Sequence, residues 1–341
     1  MGTGEGSAAV RRICVRLDWD PTRIDEFLAL ARAADEAGVE SLWLAEGFGH
    51  DSFSGLALLA RETQRVKLGT SVVNVYSRTP GALAQHFATI DELSGGRVIV
   101  GLGASGPGMI ERFYGLPFEA PKARIRETIA LLRAYWSKER FDHPGPRFPV
   151  RRALVMGARP VQPSPPIYLA TLHPGMVRMT AEETEGWLPS WIPRDRLAAE
   201  IAAARGWAAA AGRDPAAFTV RAPGMVTVVE DAERLARSLA QSAAGLAFSA
   251  ARNGPLYARQ FVRQGFGAEA AAIQQAWRDE GPAAAAELAA PIAPEFLYSG
   301  SLDDCLARIE AQAAAGADLH EVRVEGATPE RRMEILRALV G

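Results

Sequence analysis

The sequence predicts an α/β fold, a (β/α)8 TIM barrel with insertions, of which the largest is a helical region before the last barrel helix. Apolar runs of strand length alternate with amphipathic helical segments eight times within 341 residues, a length that suits such a barrel. The regular alternation favours one parallel sheet, and no Gly/Ser-rich linker divides the chain. We therefore expect a disordered N-terminal tail at residues 1–9 and a single barrel domain at residues 10–341.

The predicted strands are short apolar runs bounded by turn residues. Residues 40–46 read ESLWLAE and show no polar alternation, as expected of a strand that is covered on both faces. In chain order the strands are predicted within RRICVRLDWD (11–20), ESLWLAE (40–46), VKLGTSVV (66–73), RVIVGLG (97–103), PIYLA (166–170), WLPSW (187–191), FTVRAPGMVTVV (218–229) and LHEVRVE (319–325).

The predicted helices are recognised by their capping residues and apolar stripes. Thr79 precedes Pro80, a pair that suits the N-cap and the first turn of a helix. Leu83, Phe87 and Ile90 then follow at a spacing that places them on one helix face. The barrel helices are predicted at residues 21–38, 54–64, 80–95, 122–136, 174–186, 194–211, 301–317 and 329–340.

Two longer segments interrupt this alternation. Residues 137–165 are too rich in proline for regular structure and are interpreted as an irregular surface excursion. Residues 231–298 are mostly helical in pattern and hold no clear strand, so we expect a helical insertion that covers part of the barrel mouth. Within it, packing between helices is the favoured role of Tyr257, Phe261 and Phe266, with a pocket-facing role as the alternative.

Composition excludes several classes of function. The 38 basic and 40 acidic residues give a net charge of −2, so no basic field is available for nucleic acid or a membrane surface. No apolar stretch is long enough for a membrane helix, and the N-terminus has no hydrophobic signal core. Cys14 and Cys305 lack metal-ligand spacing, so we expect buried thiols, no metal site and a cytoplasmic protein.

The stretch GLGASG contains Gly101, Gly103 and Gly106 in the spacing of a dinucleotide fingerprint. That fingerprint also requires an acidic residue about 20 positions later, at the end of the next strand. Here the corresponding segment, EAPKARIRET at residues 119–128, opens a helix instead. We therefore favour a different role, in which glycines at the end of strand four let the backbone approach a flat ligand. A plain tight turn is the alternative.

Several segments resemble the bacterial luciferase-like superfamily, and within it the branch that uses the deazaflavin coenzyme F420, the methylenetetrahydromethanopterin reductase-like proteins. The resemblance covers most of residues 10–325, and its most specific block is RTP…ATIDELSGGR…GLG. It is carried by SLWLAEGFGHD, KLGTSVVNVYSRTPGALAQHFATIDELSGGRVIVGLGASGP, PIYLATLHPGMVRMTAEETEGWLPSW and GSLDDCLARIEAQAAAGADLHEVRV. It implies a (β/α)8 barrel, a homodimer, and a flavin-type ring across the carboxyl ends of the strands.

The resemblance also implies where the cofactor lies. A non-prolyl cis peptide at Ser71–Val72 is expected behind the ring, and the start of the helix after strand five is expected to bind the cofactor phosphate through backbone amides. The implied cofactor contacts are Ser71, Val72, Asn74, Gly103, Ala104, Ser105, Thr171, Leu172, His173, Gly175, Met176 and Ser190.

The sequence departs from the family pattern where a proton donor is expected. Several deazaflavin enzymes place an aspartate–histidine pair at the end of strand two, and here that pair is Glu46-Gly47. A glutamate found after strand four in some relatives is replaced by Gly106 or Pro107. The candidates for proton handling are therefore Glu46, His50 and Asp51. The alternative for Glu46 is a structural hydrogen-bonding role, and the alternative for His50 and Asp51 is a solvated loop.

Three functional hypotheses follow. The leading one is an oxidoreductase that moves hydride between reduced coenzyme F420 and a small organic substrate, with the cofactor supplying the chemistry. The alternative is a luciferase-like monooxygenase that uses FMN and oxygen. The third is a barrel that binds a cofactor without catalysis, which the missing histidine favours.

Overall fold

The computed structural model describes residues 10–252 and 254–341, so the tail expected at residues 1–9 lies outside the described residues. The strands are β1 (Ile13–Leu17), β2 (Ser41–Leu44), β3 (Lys67–Thr70), β4 (Val73–Asn74), β5 (Val98–Gly103), β6 (Ile167–Ala170), β7 (Gly186–Trp187), β8 (Thr219–Val220), β9 (Val226–Val229), β10 (Tyr298–Gly300) and β11 (His320–Glu325). The helices are α1 (Ile24–Ala37), α2 (Ser52–Glu62), α3 (Pro80–Ser94), α4 (Pro107–Arg112), α5 (Pro121–Trp136), α6 (Pro174–Glu183), α7 (Arg194–Ala210), α8 (Ala232–Ala251), α9 (Pro255–Arg263), α10 (Gly267–Asp279), α11 (Pro282–Ala289), α12 (Ala293–Phe296), α13 (Leu302–Ala314) and α14 (Pro329–Val340).

The strands form one parallel sheet that curls into a ring. Its order is β10-β9-β11-β1-β2-β3-β5-β6-β7-β8, with β4 paired to β5. The two ends of the ring meet where Arg221, after β8, forms a parallel bridge with Leu319, before β11. This arrangement confirms the predicted (β/α)8 barrel, in which β8 and β9 together occupy the seventh strand position.

Large and small residues alternate inside the ring. A Cβ at Gly69 would lie 2.6 Å from the indole of Trp43. Likewise, a Cβ at Gly186 would lie 2.6 Å from the phenol ring of Tyr168. Each glycine therefore makes room for an aromatic side chain on the neighbouring strand. The interior cluster consists of Cys14, Trp43, Ile99, Tyr168, Leu188 and Leu319, and a larger apolar cluster fills the layer between strands and helices.

Three predicted strands are shorter than the sequence indicates. The third is divided at Ser71–Val72, where the peptide bond is cis and the chain turns between β3 and β4. The sixth ends at Trp187 because Pro189 has no N–H for a sheet hydrogen bond. The seventh is interrupted at Pro223-Gly224, where Gly224 has a φ of 79°.

The segment predicted to be a helical insertion contains α8 to α12. Phe261 and Phe266 pack in the apolar cluster of these helices, as favoured from the sequence, whereas Tyr257 does not belong to it. The expectation that residues 231–298 hold no strand is corrected by β10, which starts at Tyr298 and pairs with β9. Three residues are too few for a strand pattern to be visible. Among the described residues, none of the helices has the length and apolar character needed to cross a membrane.

Candidate active site

A pocket of about 480 Å³ opens at the carboxyl ends of β2, β3, β5 and β6 and is covered on one side by α9. We call it the central pocket. Eleven of the fourteen side chains or backbone positions predicted for the site line it, namely Glu46, Ser71, Val72, Asn74, Gly103, Ala104, Ser105, Thr171, Leu172, His173 and Met176. The lining omits His50, Gly175 and Ser190. Four separate strand ends thus supply one concave surface, as expected for a barrel active site.

The floor of the pocket is built from small residues next to the Ser71–Val72 peptide. That peptide bond is cis, which confirms the expectation drawn from the resemblance. Gly103 lets Val72 pack closely against β5 at this floor, because a Cβ at residue 103 would lie 2.9 Å from Val72 Cγ2. Ala104 and Ala170 line the pocket beside this floor. A flat ring can therefore approach the backbone closely at this floor.

Gly101 has a different role from Gly103. A Cβ at Gly101 would lie 1.6 Å from the carbonyl oxygen of Thr70, so the two strands approach closely only with glycine. The Thr70 hydroxyl donates to the Gly101 carbonyl at 2.6 Å and accepts from its N–H at 3.0 Å. Gly106 is the N-cap of α4. The three glycines of GLGASG therefore have separate roles: Gly101 allows β3 and β5 to approach closely, Gly103 lines the pocket floor and Gly106 precedes α4. They do not form a nucleotide fingerprint.

Glu46 lines the pocket but is held by other protein groups. Its carboxylate forms a two-pronged ion pair with the Arg78 guanidinium, with 3.0 Å between Oε2 and Nη2, and it accepts from the N–H of Ser52 at 3.0 Å. Its side chain is only 5% exposed. The Arg78 guanidinium in turn lies over the Phe53 ring, 4.9 Å from its centre. Both carboxylate oxygens are therefore engaged in fixing the start of α2.

The two neighbouring candidates for proton handling lie on the loop before α2. Asp51 is the N-cap of α2, and its carboxylate accepts from the N–H of Ser54 at 2.9 Å. Burial opposes ionisation of Asp51, but the hydrogen bonds from Ser54 outweigh it and lower its pKa. His50 is exposed and contacts the edge of the Trp19 ring. Neither residue is placed to face the central pocket.

The start of α6 lies at the edge of the pocket and is capped by its own residue. His173 precedes Pro174, and its Nδ1 accepts from the N–H of Gly175 at 3.1 Å. The backbone carbonyl of His173 accepts from the N–H of Met176 at 2.7 Å. An anion bound at this helix start would therefore replace the His173 imidazole as the acceptor for the N–H of Gly175.

Helix α9 supplies three site residues that the sequence did not indicate, Leu256, Arg259 and Arg263, and it places Tyr257 in the pocket, the alternative role stated for that residue. Burial raises the pKa of Tyr257, so its phenol stays protonated at neutral pH. Leu256, Arg259 and Arg263 are spaced as i, i+3 and i+7, which places them on one helix face. This spacing is the sequence signal that could have indicated a helix face directed at the pocket.

Polar contacts hold α9 over the strand ends. The buried side chain of Gln260 donates to the carbonyl of Trp191 at 3.1 Å, and Arg263 donates to the carbonyl of Leu172 at 2.5 Å. These bonds connect the insertion to the segments after β6 and β7. The pocket therefore includes two cationic side chains of α9, Arg259 and Arg263, of which Arg263 is held by the Leu172 carbonyl.

A buried chain of charges lies beneath the pocket. The Arg221 guanidinium donates to Ser71 Oγ at 2.9 Å and pairs with Glu321 at 2.7 Å. Glu321 also lies 3.9 Å from Arg16. Arg221 and Glu321 have side chains only 7% and 6% exposed. The residue before the cis bond is thereby tied to strands on the opposite side of the ring.

The described residues hold no group of three or more His, Cys, Asp or Glu side chains arranged to bind a metal ion. Cys14 and Cys305 are both free and buried, as expected from the sequence. Burial raises the pKa of the Cys305 thiol to about 12, so it is protonated at neutral pH.

Comparisons with known proteins agree with this architecture. A protein of Mycobacterium tuberculosis, provisionally named a coenzyme F420-dependent oxidoreductase, is 41% identical over 171 residues, which are 47% of this chain and 49% of that protein. The 5,10-methylenetetrahydromethanopterin reductase of Methanolobus tindarius is 32% identical over 216 residues, 62% of this chain and 64% of the relative. The aligned part thus spans about half to two thirds of these two relatives.

Similarity of structure extends over the whole chain. The coenzyme F420-dependent tetrahydromethanopterin reductase of Methanopyrus kandleri superposes with a TM-score of 0.80 at 24% identity, covering 98% of this chain and 99% of that one. At this identity the likeness shows the fold alone. A family model described as luciferase-like monooxygenase matches residues 6–319. The chain therefore belongs to the luciferase-like monooxygenase family.

Proposed function

We propose that the protein is an oxidoreductase that transfers hydride between reduced coenzyme F420 and a small organic substrate. The observation that carries this proposal is the central pocket, which combines a flat floor at Ser71–Val72 and Gly103 with two cationic side chains of α9. The names of the relatives in Mycobacterium tuberculosis and Methanolobus tindarius support a deazaflavin rather than FMN.

The residues of the pocket fit a planar cofactor that carries a phosphate. Gly103 and Val72 pack so closely that a Cβ at residue 103 would lie 2.9 Å from Val72 Cγ2, so glycine backbone and a valine side chain form the surface offered to the face of a ring. Arg259 and Arg263 line the same pocket as His173 and Met176 at the start of α6, so cationic groups and a helix N-terminus are both available to a phosphate. When bound there, a deazaflavin supplies the hydride chemistry.

The protein's own contribution is positioning and exclusion of water. The Arg221 side chain holds Ser71 from below, and Glu46 with Arg78 fixes the loop that follows β2. Tyr257 lines the pocket as a protonated phenol, which suits a hydrogen bond to an oxygen of the substrate. Because both oxygens of Glu46 are engaged, we assign it a positioning role and leave proton delivery to Tyr257 or to solvent.

The experiment is a fluorescence titration of the purified, cofactor-free protein with coenzyme F420 and, separately, with FMN. We expect saturable binding of F420 and binding of FMN that is at least tenfold weaker. The variant Arg259→Gln should weaken F420 binding by about tenfold, as expected for one lost charge-assisted contact, and leave binding of the phosphate-free deazaflavin riboside unchanged. Gly103→Val should block both deazaflavins, whereas Gly157→Val, at an exposed loop glycine with open space around it, should not.

A second measurement separates the alternative functions. Reduced F420 is mixed with the protein and a panel of carbonyl and conjugated acceptors, and loss of the reduced cofactor is followed by absorbance. Preference for reduced FMN with consumption of oxygen would replace the proposal with the monooxygenase alternative. Tight F420 binding with no oxidation by any acceptor would favour a barrel that binds its cofactor without catalysis.

A further inference from the structure

A second cleft, of about 600 Å³, lies at the carboxyl ends of β1 and β11, next to the starts of α1 and α8. It shares no lining residue with the central pocket. We call it the arginine cleft after the six arginines that line it, Arg16, Arg23, Arg234, Arg237, Arg323 and Arg332. The cleft is thus on the face of the barrel where binding sites form, but over a different pair of strands.

The side chains that line the cleft carry a net positive charge. Four carboxylates line it beside the six arginines, namely Asp18, Asp20, Glu26 and Glu325, which leaves two positive charges in excess. The whole sequence has a net charge of −2. A local excess of guanidinium groups in a concave site attracts anions.

Two of the arginines have weak or absent carboxylate partners. Arg16 lies 3.9 Å from Glu321, a carboxylate that already pairs with Arg221 at 2.7 Å. Arg332 forms no ion pair within the described residues, and its Nη2 reaches only the Ala327 carbonyl at 3.4 Å. By contrast, Arg323 is 3.0 Å from Asp18. Arg234 and Arg237 pair with Asp231 at 3.3 Å and with Glu233 at 3.5 Å, two carboxylates outside the lining. Arg16 and Arg332 are therefore the arginines of the cleft with the least compensation by carboxylates.

The same two side chains have unmet hydrogen-bonding capacity. The Nε atoms of Arg16 and Arg332 are buried and have no hydrogen-bond partner among the described residues. Buried N–H donors in proteins are almost always paired, with protein, water or a ligand. A guanidinium offers its N–H groups as a planar fork that matches phosphate or carboxylate oxygens.

The backbone of the cleft is shaped around a third guanidinium. Gly326, which follows β11, has a φ of 78°, and a Cβ there would lie 2.0 Å from Nη1 of Arg234. Glycine at this position therefore allows the Arg234 guanidinium to pack directly on the main chain at the cleft wall.

We propose that the arginine cleft is a second binding site, for a small anion that carries two or more phosphate or carboxylate groups. Arg16 and Arg332 bind the anion directly, and Arg234 contributes charge from the start of α8. The arginine cleft and the central pocket share no lining residue, so the anion occupies a place different from that of the cofactor assigned to the central pocket.

The test is isothermal titration calorimetry of the cofactor-free protein with pyrophosphate and, separately, with citrate, at constant ionic strength. We expect saturable binding of at least one of them, and the preference distinguishes a phosphate from a carboxylate ligand. Arg332→Gln and Arg16→Gln should each weaken binding at least tenfold. The matched control Arg337→Gln removes a charge from the same helix as Arg332, but from a side chain paired with Glu36 at 3.0 Å outside the cleft, and should change binding less than twofold.

Three results would overturn the proposal. The first is the absence of saturable binding for both anions. The second is equal weakening by Arg332→Gln and Arg337→Gln, which would indicate a general charge effect. The third is loss of anion binding in Arg259→Gln while Arg332→Gln binds the anion as the wild type does, which would place the anion in the central pocket. Because no F420 is present, failure here leaves the proposed oxidoreductase function untouched, and failure of F420 binding leaves this site untouched.

Discussion

At the scale of single residues, Gly101 illustrates how one position is fixed by its neighbours. Its Cα faces the Thr70 carbonyl, and a Cβ would lie 1.6 Å from that oxygen and 2.7 Å from the carbonyl carbon. Neither atom belongs to a flexible side chain, so the main chain of β3 or β5 would have to move. The glycine pattern was visible in the sequence, but its cause is a contact between residues 31 positions apart.

We predict that Gly101→Ala destabilises the protein by about 2 kcal/mol or more, because overpacking against backbone forces strands apart. Urea unfolding followed by circular dichroism measures the change. The matched control is Gly245→Ala, an exposed helical glycine with open space around it, which should raise the free energy of unfolding by up to about 1 kcal/mol. Equal stability of Gly101→Ala and the wild type would refute the close approach.

At the scale of elements, the sequence located nearly every strand and helix of the barrel but not the interruptions within them. Apolar runs and capping pairs such as Thr79-Pro80 are local signals, and α3 begins where they indicate, at Pro80. Local strand propensity does not predict the break after Thr70, because Val72 and Val73 are strong strand formers. The resemblance to a family, rather than the pattern of residues, placed the cis peptide there.

Strand β11 contains a buried histidine that couples its stability to pH. His320 is 3% exposed, and its Nδ1 lies 3.0 Å from the side-chain oxygen of Gln312 on α13. Burial lowers the pKa of His320 to about 4, and Asp318 only partly offsets it. Below pH 6.5 the unfolded chain therefore binds a proton that the folded chain does not, so the free energy of unfolding falls as pH decreases from 6.5 to 4.

We predict that this effect reaches about 3 kcal/mol over that interval and is absent above pH 7. It is measured as the difference in unfolding free energy between His320→Gln and the wild type at pH 7.5, 6, 5 and 4. Other titrating groups cancel in the difference, which should shift in favour of the variant as the pH falls. A difference independent of pH would contradict a buried neutral imidazole.

At the scale of the whole molecule, the parts of the site that belong to the barrel were predictable and the parts that close over it were not. Ser71 and Gly103 end strands, and parallel strands bring their carboxyl ends to one edge. Arg259 and Arg263 reach the same pocket only because α9, in an insertion, docks through Gln260 and the Leu172 carbonyl. Such long-range docking leaves no periodic signal in the sequence beyond an amphipathic helix.

The barrel closes between β8 and β11, where little regular strand pairing joins the two strands. Between β8 and β11 the ring is joined by one isolated bridge, with backbone hydrogen bonds from Ala222 to Leu319 at 2.7 Å and from Asp318 to Val220 at 2.8 Å. The N–H of Val220 finds its acceptor in the side chain of Asp318, at 2.7 Å, instead of in a strand carbonyl. The same carboxylate accepts two hydrogen bonds from Arg205 on α7, at 2.8 and 2.9 Å. One side chain therefore connects two strands and an outer helix where the sheet itself is thinnest.

We predict that Asp318→Ala lowers the free energy of unfolding by about 1–3 kcal/mol, since it leaves the Val220 N–H and the Arg205 guanidinium without their partner. Asp318→Asn, which retains an acceptor but loses the charge, should give a smaller loss. Native-state hydrogen exchange should show faster exchange at Val220 than at β2 amides in the Asp318→Ala variant, because the seam opens before the rest of the ring. Glu287→Ala, at an exposed position of α11, serves as the control and should change stability by less than about 0.5 kcal/mol. Uniform acceleration around the barrel would instead mean that the ring opens as one unit and that Asp318 does not protect its seam.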